Sequence, residues 1–419
     1  MPDRLRRTRG ERAGGDARSL RASNLDAILR VVMQRHEAFT RAELVAATGL
    51  SSPTVGSLLS ELSERGLLRD LGPGPSSGGR RPSFMEFDAR HGFVAGIDLG
   101  PATTRLAIAD LRGERTALRV LPTADGLRPR ELLERTAKAL LSLVREAHVP
   151  PGRLLAVGAA APGAVDPHKD TVTLAPNLPG WSRVPMRRIL QHALETPVVV
   201  ENDVNLAVLG ERWKGAARGH DTCVFINLDA GIGAGIVVNG ALHRGHHSLA
   251  GEIGLMCMGP QFLERDFGNR GCLETLAGQD ALAAHWPDAR GRAPELWLPA
   301  LFQASERGRR GARQAVLETA RLIGIAAANL SLVLDPSLIV LGGSLATHGP
   351  ALVREVRRIV EECLPTPARV VVSVLGEEAP LWGSLLVADE AAQERLHLTL
   401  RTAASFAPSS SGSPRTGRR

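Results

Sequence analysis

Long apolar runs and paired cysteines are scarce in this chain of 419 residues. No stretch approaches the roughly 18 to 20 consecutive apolar residues of a membrane span, so the sequence predicts no membrane partner. The basic N-terminus has no apolar segment behind it, which argues against a secretory signal. The four cysteines, Cys223, Cys257, Cys272 and Cys363, lack the spacing of a disulfide framework. We therefore expect a cytoplasmic protein in a reducing compartment.

The net charge of +7 comes from the two ends of the chain. Residues 1–20 carry +3 and residues 401–419 carry +4, so the 380 residues between them sum to zero. Both ends are rich in Gly, Ser, Pro and Arg, which predicts a disordered basic arm and a disordered basic tail. The isoelectric point of 10.1 is therefore no evidence that the folded part binds DNA.

Residues 21–88 have the pattern of a winged helix-turn-helix domain. After a first amphipathic helix, Thr40 and Glu43 are spaced as a capping box that begins a second helix. Pro53 suits the first turn of a third helix, and a glycine-containing turn separates the two. Two short apolar segments flank the glycine-rich loop 72–82, as the strands of a wing would.

The third helix has no Lys or Arg in its first turns, so arginine pairing with guanine is not expected there. Hydroxyl, methyl and amide groups would read the bases, while arginines of the second helix and the wing would hold phosphates or enter a minor groove. The candidate DNA-binding residues are Arg41, Ser51, Ser52, Thr54, Ser57, Arg80 and Arg81. A small helical domain that binds protein is the alternative.

Polar side chains follow a valine-rich predicted strand at residues 201–205, Glu-Asn-Asp-Val-Asn. Polar groups at the end of an α/β strand lie where open-sheet proteins bind ligands. Asp203 is able to accept a proton from a sugar hydroxyl, and Asn202 is able both to donate and to accept. The simpler alternative is that the acids only open a helix, since acids favour a first turn.

Glycine-rich loops follow several other predicted strands. Tight glycine backbone can lie against a phosphate or a metal, but each of these loops is also compatible with an ordinary hairpin or turn. The candidate nucleotide-binding residues are Asp98, Gly100, Gly231, Gly233, Gly235, Gly342 and Gly343. Two further loops, 161–166 and 175–181, are rich in Gly and Pro and favour a ligand cleft.

Taken in order, these motifs resemble the ROK family, named for repressors, open reading frames and kinases. The resemblance covers about residues 22–395 and includes Leu-Ala-Gly-Glu-Ile-Gly at 249–254 and Asn-Arg-Gly-Cys-Leu-Glu at 269–274. It implies an α/β fold in which the winged helix-turn-helix precedes a two-lobed, actin-like domain of the sugar-kinase type. That domain would span residues 92–400, with a small lobe of about 92–190 plus the C-terminal helix and a large lobe of about 195–375. The winged helix implies the transcriptional-regulator branch.

The resemblance also implies a sugar site, with Asp203 in the position of the family's catalytic base. The matching sugar-binding residues are Gly163, Asn202, Asp203, Glu252 and Glu274.

Departures from the family pattern fall on the metal and phosphate sides. Leu255 replaces a histidine that in the kinases touches sugar and zinc, and Arg265 and Phe267 replace two zinc cysteines. One remaining thiolate cannot build a four-ligand zinc site. The alternative is that Cys257 and His246 or His247 supply the missing ligands. Pro101 and Asp229 stand where the kinases carry Gly or a Gly-Thr pair, and an acid there would repel a triphosphate. We therefore expect no zinc and no ATP–magnesium cofactor.

Three hypotheses follow. The first is a DNA-binding regulator, a repressor, that binds a double-stranded operator as a homodimer or homotetramer and takes a sugar or related metabolite as effector. The second is an ATP-dependent sugar kinase that carries a DNA-binding domain, with Asp203 as base. The third is a body that no longer senses a ligand and serves as a dimerisation scaffold.

Overall fold

The computed structural model describes residues 7–74, 81–124, 126–166, 171–174, 180–268 and 270–406. The helices are α1 (Arg7–Gln34), α2 (Arg41–Thr48), α3 (Ser52–Glu64), α4 (Pro129–Glu146), α5 (Met186–Leu194), α6 (Asp203–Lys214), α7 (Cys272–Ala277), α8 (Gln279–Ala284), α9 (Pro294–Glu306), α10 (Arg310–Leu334), α11 (Ser344–His348), α12 (Pro350–Cys363) and α13 (Ala379–Phe406).

The strands fall into sheets of three, five, five and two members. They are β1 (Phe39–Thr40), β2 (Leu68–Pro73), β3 (Ser83–Phe87), β4 (Phe93–Leu99), β5 (Thr103–Asp110), β6 (Arg115–Pro122), β7 (Leu154–Ala161), β8 (Ala164–Asp166), β9 (Thr171–Leu174), β10 (Val198–Asn202), β11 (Cys223–Leu228), β12 (Ile232–Val238), β13 (Ala241–Leu242), β14 (Leu338–Gly342) and β15 (Arg369–Val372).

The chain divides into two compact units. The first takes the chain up to Phe93, residues 110–112, and the chain from Glu390 onward. The second takes residues 94–109 and 113–389.

The first unit confirms the predicted winged helix-turn-helix. The Thr40 side chain accepts a hydrogen bond from the Glu43 amide, and the Glu43 carboxylate accepts one from the Thr40 amide, so the capping box of α2 is complete. Gly49, with φ of 69°, ends α2 in the left-handed conformation, and Ser51 caps α3. Strands β2 and β3 form the wing, and the unpredicted β1 extends it in the order β1-β3-β2.

The predicted disordered arm at 1–20 is wrong for residues 7–20, because α1 begins at Arg7. Once the later part of α1 is helical, each further Arg, Ala or Leu adds one backbone hydrogen bond at little conformational cost. Over residues 7–20 this gain outweighs the low helix propensity of the glycines. At the other end, α13 continues through Phe406 into the predicted tail, and residues 407–419 lie outside the described residues.

The C-terminal helix is also divided differently from the prediction, which placed it in the small lobe. Its residues after Asp389 belong to the first unit, where His397 contacts Asp26 of α1. Helices α1 and α13 therefore contact each other, a long-range contact that no local pattern encodes.

The second unit contains two five-stranded sheets, as a two-lobed domain requires. Their strand orders are β10-β7-β4-β5-β6 and β13-β12-β11-β14-β15. Because β10 pairs in parallel with β7, residues 198–202 belong to the first sheet, whereas the predicted lobe boundary assigned them to the large lobe. Helix α5 is the crossover that returns the chain to the side of β7.

Part of the first predicted cleft loop, 161–166, is a strand. Residues 164–166 and 171–174 pair as the small antiparallel hairpin β8–β9. Residues 167–170 and 175–179 lie outside the described residues.

Helix α10 corrects the expectation that no segment is apolar enough to span a membrane. By length and composition it qualifies, with a mean hydropathy of 1.5 over its most apolar 18 residues. The prediction counted consecutive apolar residues and missed it, because Gly, Asn and Ser interrupt the run. In the second unit, 56% of this 18-residue window is buried. Its Ala, Val and Ile side chains pack in the hydrophobic core with side chains of α9 and α12, so α10 has the position of a core helix.

Candidate functional site

Asn202 lies where β10 ends and α6 begins, at the carboxyl edge of the first sheet. Its Oδ1 accepts a hydrogen bond from the Asn205 amide at 3.0 Å and so caps α6. Its Nδ2 donates to the Gly163 carbonyl at 3.1 Å and to Asp203 Oδ1 at 3.0 Å. Asp203 Oδ1 also accepts from the Val204 amide at 2.9 Å, so the orientation of this carboxylate is set by both neighbours.

Carboxylates surround Asp203. Burial raises the pKa of Asp203 to about 7, and the charges of Asp98 and Glu252 act in the same direction. Burial also raises the pKa of Glu252 and that of Glu274, and the charge of Glu252 contributes to the shift at Glu274. The charge of Glu252 thus acts on both Asp203 and Glu274, as expected for acids that share one cleft.

The structure thus brings together the five residues that the family resemblance implies, Gly163 included. Glu274 accepts a hydrogen bond from the Ile232 amide at 3.1 Å. Among the residues that the structure describes, none donates a hydrogen bond to the carboxylate of Glu252. A half-buried acid without a donor is suited to a ligand that brings hydroxyl groups.

Side-chain packing occupies the loop where the resembled kinases hold zinc. Leu255 is 54% exposed, and the ring of Phe267 lies edge-on to Phe262 with centroids 6.1 Å apart. The guanidinium of Arg265 lies 4.9 Å from the centroid of the Phe267 ring. Within the described ranges no group of three or more His, Cys, Asp or Glu is arranged to hold a metal. The side chains at this loop therefore do not fit a zinc ion.

On the nucleotide side, Asp98 faces an arginine of its own chain. Asp98 Oδ2 lies 3.4 Å from Nη1 of Arg105, and Nη2 of Arg105 contacts Glu377. Burial raises the pKa of Asp98 to about 6 against the opposing effect of Arg105. Gly100 closes the hairpin, since a Cβ there would lie 2.8 Å from the Thr103 carbonyl oxygen. A guanidinium thus stands beside the acid that would hold magnesium in a kinase.

Asp229 occupies the second half of the same cleft. Its Oδ1 accepts hydrogen bonds from the Ser344 amide and from Nε2 of Gln279, both at 3.0 Å. Burial raises its pKa, while the hydrogen bonds from Ser344 lower it. Gly343 has φ of 83°, and a Cβ there would lie 2.8 Å from Asp229 Oδ2. Backbone amides of a glycine turn are a preferred position for phosphate, and here a carboxylate fills it.

The predicted glycine loops are explained by packing. A Cβ on Gly235 would lie 2.4 Å from the Val204 carbonyl of α6, and Gly233 lies against the Val204 side chain. A Cβ on Gly342 would lie 2.1 Å from the ring of Phe225. Gly231 precedes β12 in the turn from β11. Close approach of helix and ring to the sheet accounts for Gly235 and Gly342, and contact of the glycine loops with a nucleotide stays a prediction.

In the first unit, the residues predicted to contact DNA bases lie at the start of α3. Ser51, Ser52 and Ser57 are exposed and Thr54 is half-buried. The Ser51 hydroxyl bonds the Thr54 hydroxyl at 2.8 Å and accepts from the Thr54 amide, so the helix cap engages two of the expected groups.

Arginines flank this surface. Nη1 of Arg41 lies 3.1 Å from where a Cβ of Gly56 would be, which places the guanidinium across the exposed side of α3. Arg81 is exposed just before β3, and Arg80 lies outside the described residues. Arg69, on the neighbouring wing strand, is paired with Glu86.

Sequence reasoning missed Arg105 and Gln279. Arg105 lies near the start of β5, the strand that returns from Asp98, and the alternation of side chains along that strand was an available signal. Gln279 is 50 residues from Asp229 and opens a six-residue helix, so no local pattern marked it.

Comparisons with known proteins agree with this division of the chain. The ROK family matches residues 94–391, and the IclR helix-turn-helix domain matches residues 24–72. The xylose repressor of Caldicellulosiruptor bescii is 28% identical over 363 residues, covering 83% of this chain and 90% of that protein.

Two solved structures are similar. The ROK hexokinase of Thermus thermophilus is 33% identical with a TM-score of 0.61, covering 72% of this chain and 99% of that one. A ROK transcriptional regulator described as a homolog of the E. coli MLC protein has a TM-score of 0.74, covering 92% of this chain and 100% of that one. At 20% identity, this second match shows the fold alone.

Proposed function

This chain belongs to the ROK family, and we propose that it is a transcriptional repressor whose operator binding is changed by a sugar in its kinase-like domain. A winged helix-turn-helix joined to a sugar-kinase-type domain makes it a DNA-binding regulator with a sugar effector. The observation that carries the proposal is the contrast within one cleft. The acids and amide of the sugar side converge, while Arg105 and Asp229 fill the nucleotide side.

The chemistry of the site favours a neutral sugar. Asp203, Glu252 and Glu274 together present hydrogen-bond acceptors to hydroxyl donors. A phosphorylated sugar would bring negative charge toward three carboxylates, which repel it. Because the Caldicellulosiruptor bescii relative is named a xylose repressor, we take an unphosphorylated pentose or hexose as the effector class.

A sugar kinase is the second candidate, since the pKa of about 7 at Asp203 suits a general base. The residues present do not fit magnesium–ATP, because Arg105 supplies the positive charge beside Asp98 and Asp229 takes up the Ser344 amide. We therefore propose a regulator that uses no ATP, magnesium or zinc.

We further propose that it acts in the cytoplasm as a homodimer or a homotetramer. Two-fold symmetric operators require paired winged helices at a fixed spacing. Helix α10 exposes Ile325, Leu332 and Val333, which lie on one face at helical spacing. An apolar face of this kind is suited to a second copy.

Replacing Arg81 by Gln is expected to weaken operator binding through one lost phosphate contact. The slope of log affinity against log salt should fall by about 0.9, the value for one phosphate. Arg69→Gln is the matched control, because that guanidinium is already paired with Glu86. Fluorescence anisotropy on the DNA upstream of the coding region, at several salt concentrations, measures both. Equal slopes for Arg81→Gln and wild type would exclude Arg81 from the interface.

Sugar affinity is expected to rise between about pH 6 and pH 8. The pKa of Asp203 is raised to about 7, so its carboxylate is mostly protonated at the lower pH and ionised at the higher one. A charged acceptor binds a hydroxyl roughly twice as strongly as a neutral one. Calorimetric titration with D-xylose and D-glucose at both pH values tests this. An affinity that does not change with pH would remove Asp203 from the contact.

A further inference from the structure

Glu201 links the sugar-side residues to an arginine from another part of the second unit. It immediately precedes Asn202, is 8% exposed, and its Oε1 accepts from the Asn202 amide at 2.9 Å and from Nδ2 of Asn205 at 3.0 Å. Its Oε2 accepts from Nε of Arg244 at 2.6 Å. Arg244 thus supplies the positive charge and the last hydrogen bond that this buried carboxylate needs.

Arg244 also begins the loop that carries Glu252. Its carbonyl accepts a hydrogen bond from the Ala250 amide at 3.1 Å, which closes residues 244–250 into a compact turn. Gly251 then lies against β12, where its carbonyl accepts from the Ala234 amide at 2.7 Å. A Cβ on Gly251 would lie 1.9 Å from the Ala234 carbonyl oxygen, so the chain has no room to shift there. The turn that ends at Glu252 is therefore fastened at two points, Ala234 and Arg244.

This ion pair joins two segments that both carry acids of the sugar side, namely the junction of β10 and α6 and the turn of residues 244–252. Glu252 and Asp203 are both acidic, and the charge of Glu252 contributes to the raised pKa of Asp203. Arg244 belongs to the turn that carries Glu252, and its side chain pairs with Glu201, two residues before Asp203.

From these contacts we propose that Arg244 is a positioning residue for sugar recognition, because its ion pair with Glu201 holds Glu252 opposite Asn202 and Asp203. The inference rests on the proposed function in so far as the ligand is a sugar. Arg244 need not touch the sugar, and it acts through Glu201 and the 244–252 turn.

A cavity lies beside the ion pair of Arg244 and Glu201, so side-chain packing does little to hold the 244–252 turn against β10 at this point. A space of about 370 Å³ is lined by Arg244, Glu201 and the valines of β10. Arg244 is 46% exposed in its side chain, so packing confines it only in part. If the guanidinium is removed, the space beside it grows and the turn keeps only its backbone contact with Ala234.

Amide hydrogen exchange tests the positioning role without any sugar. In Arg244→Met, amides of residues 245–252 should exchange about tenfold faster than in the wild type. Arg218→Met is the matched control, an exposed arginine of the same unit, and should leave the exchange of this loop unchanged. Because Arg244→Met leaves the buried Glu201 without its cation, its melting temperature should lie below that of Arg218→Met, and both variants should remain folded. Wild-type exchange rates for residues 245–252 in Arg244→Met would overturn the proposal.

Calorimetric titration with D-xylose and D-glucose then tests the consequence for recognition. Arg244→Met and Glu201→Gln should each weaken binding about tenfold, and the double variant should be no weaker than either one, since both remove one interaction. Additive losses, or unchanged affinity in Arg244→Met, would refute the positioning role. If neither sugar binds the wild type, the proposed function fails, and the exchange experiment alone decides the role of Arg244.

Discussion

The Asp203→Asn variant is expected to stay on operator DNA at sugar concentrations that release the wild-type protein. Asparagine keeps an Oδ1 that accepts from the Val204 amide and from Nδ2 of Asn202, so the local structure is retained. It replaces the second carboxylate oxygen by an NH₂ donor, which cannot accept a bond from a sugar hydroxyl. Loss of a charged hydrogen bond of about 2 to 3 kcal/mol corresponds to a loss of sugar affinity on the order of 100-fold.

The stability of this variant separates a binding defect from misfolding. The pKa of Asp203 is raised in the folded protein, so its stability contribution is complete below the unfolded pKa and is lost as pH rises through about 7. At about pH 8 the ionised carboxylate therefore destabilises the fold, and Asp203→Asn should melt no lower than the wild type. Asp288→Asn, at an exposed aspartate of the same unit, is the control and should respond to sugar normally. A normal sugar response in Asp203→Asn would contradict the assignment of this residue.

Magnesium–ATP is expected to leave the melting temperature of the wild type unchanged, and removal of two internal groups should create nucleotide binding. In the double variant Arg105→Ala, Asp229→Gly, the Ser344 amide loses its carboxylate partner and Asp98 loses its guanidinium. The amides of the Gly343 turn would then face solvent, and the like charge that repels a triphosphate would be gone. Nucleotide affinity should increase at least about tenfold, the effect of about 1.4 kcal/mol.

Calorimetry with the magnesium complex of a non-hydrolysable ATP analogue measures this gain. Glu377→Gln is the control, because it changes an acid beside Arg105 and leaves the contacts of Asp98 and Asp229 in place. Loss of the hydrogen bond from the Ser344 amide to Asp229 is expected to cost the double variant about 1 kcal/mol of stability, which the nucleotide should in part restore. Tight nucleotide binding by the wild type would mean that Arg105 and Asp229 do not fill the site.

Elements whose signals are local were predicted correctly. The capping box of Thr40 and Glu43 and the position of Pro53 in the first turn of α3 depend on residues within one turn of each other, and the structure contains both. The strand before Asn202 was also identified, because an apolar run followed by polar groups is visible in a few residues.

Features that depend on distant contacts were missed. Strand β1 has two residues and exists because Phe39 and Thr40 pair with β3, some 45 residues later in the chain. The C-terminal part of α13 packs beside α1 through His397 and Asp26, at opposite ends of the sequence. The Asp229–Ser344 contact spans 115 residues. Periodicity and spacing carry no information on such pairs, whereas the motifs of the family indicated that the residues of the sugar side would converge.

The most direct test of a sugar-reading cleft with a filled nucleotide side is one operator titration under three conditions. Fluorescence anisotropy of the upstream DNA is measured with the full chain alone, with D-xylose or D-glucose, and with magnesium–ATP. The account predicts a specific complex that a sugar weakens and that magnesium–ATP leaves unchanged. A complex that ignores sugar but responds to magnesium–ATP, with phosphorylation of the sugar by the same preparation, would contradict it.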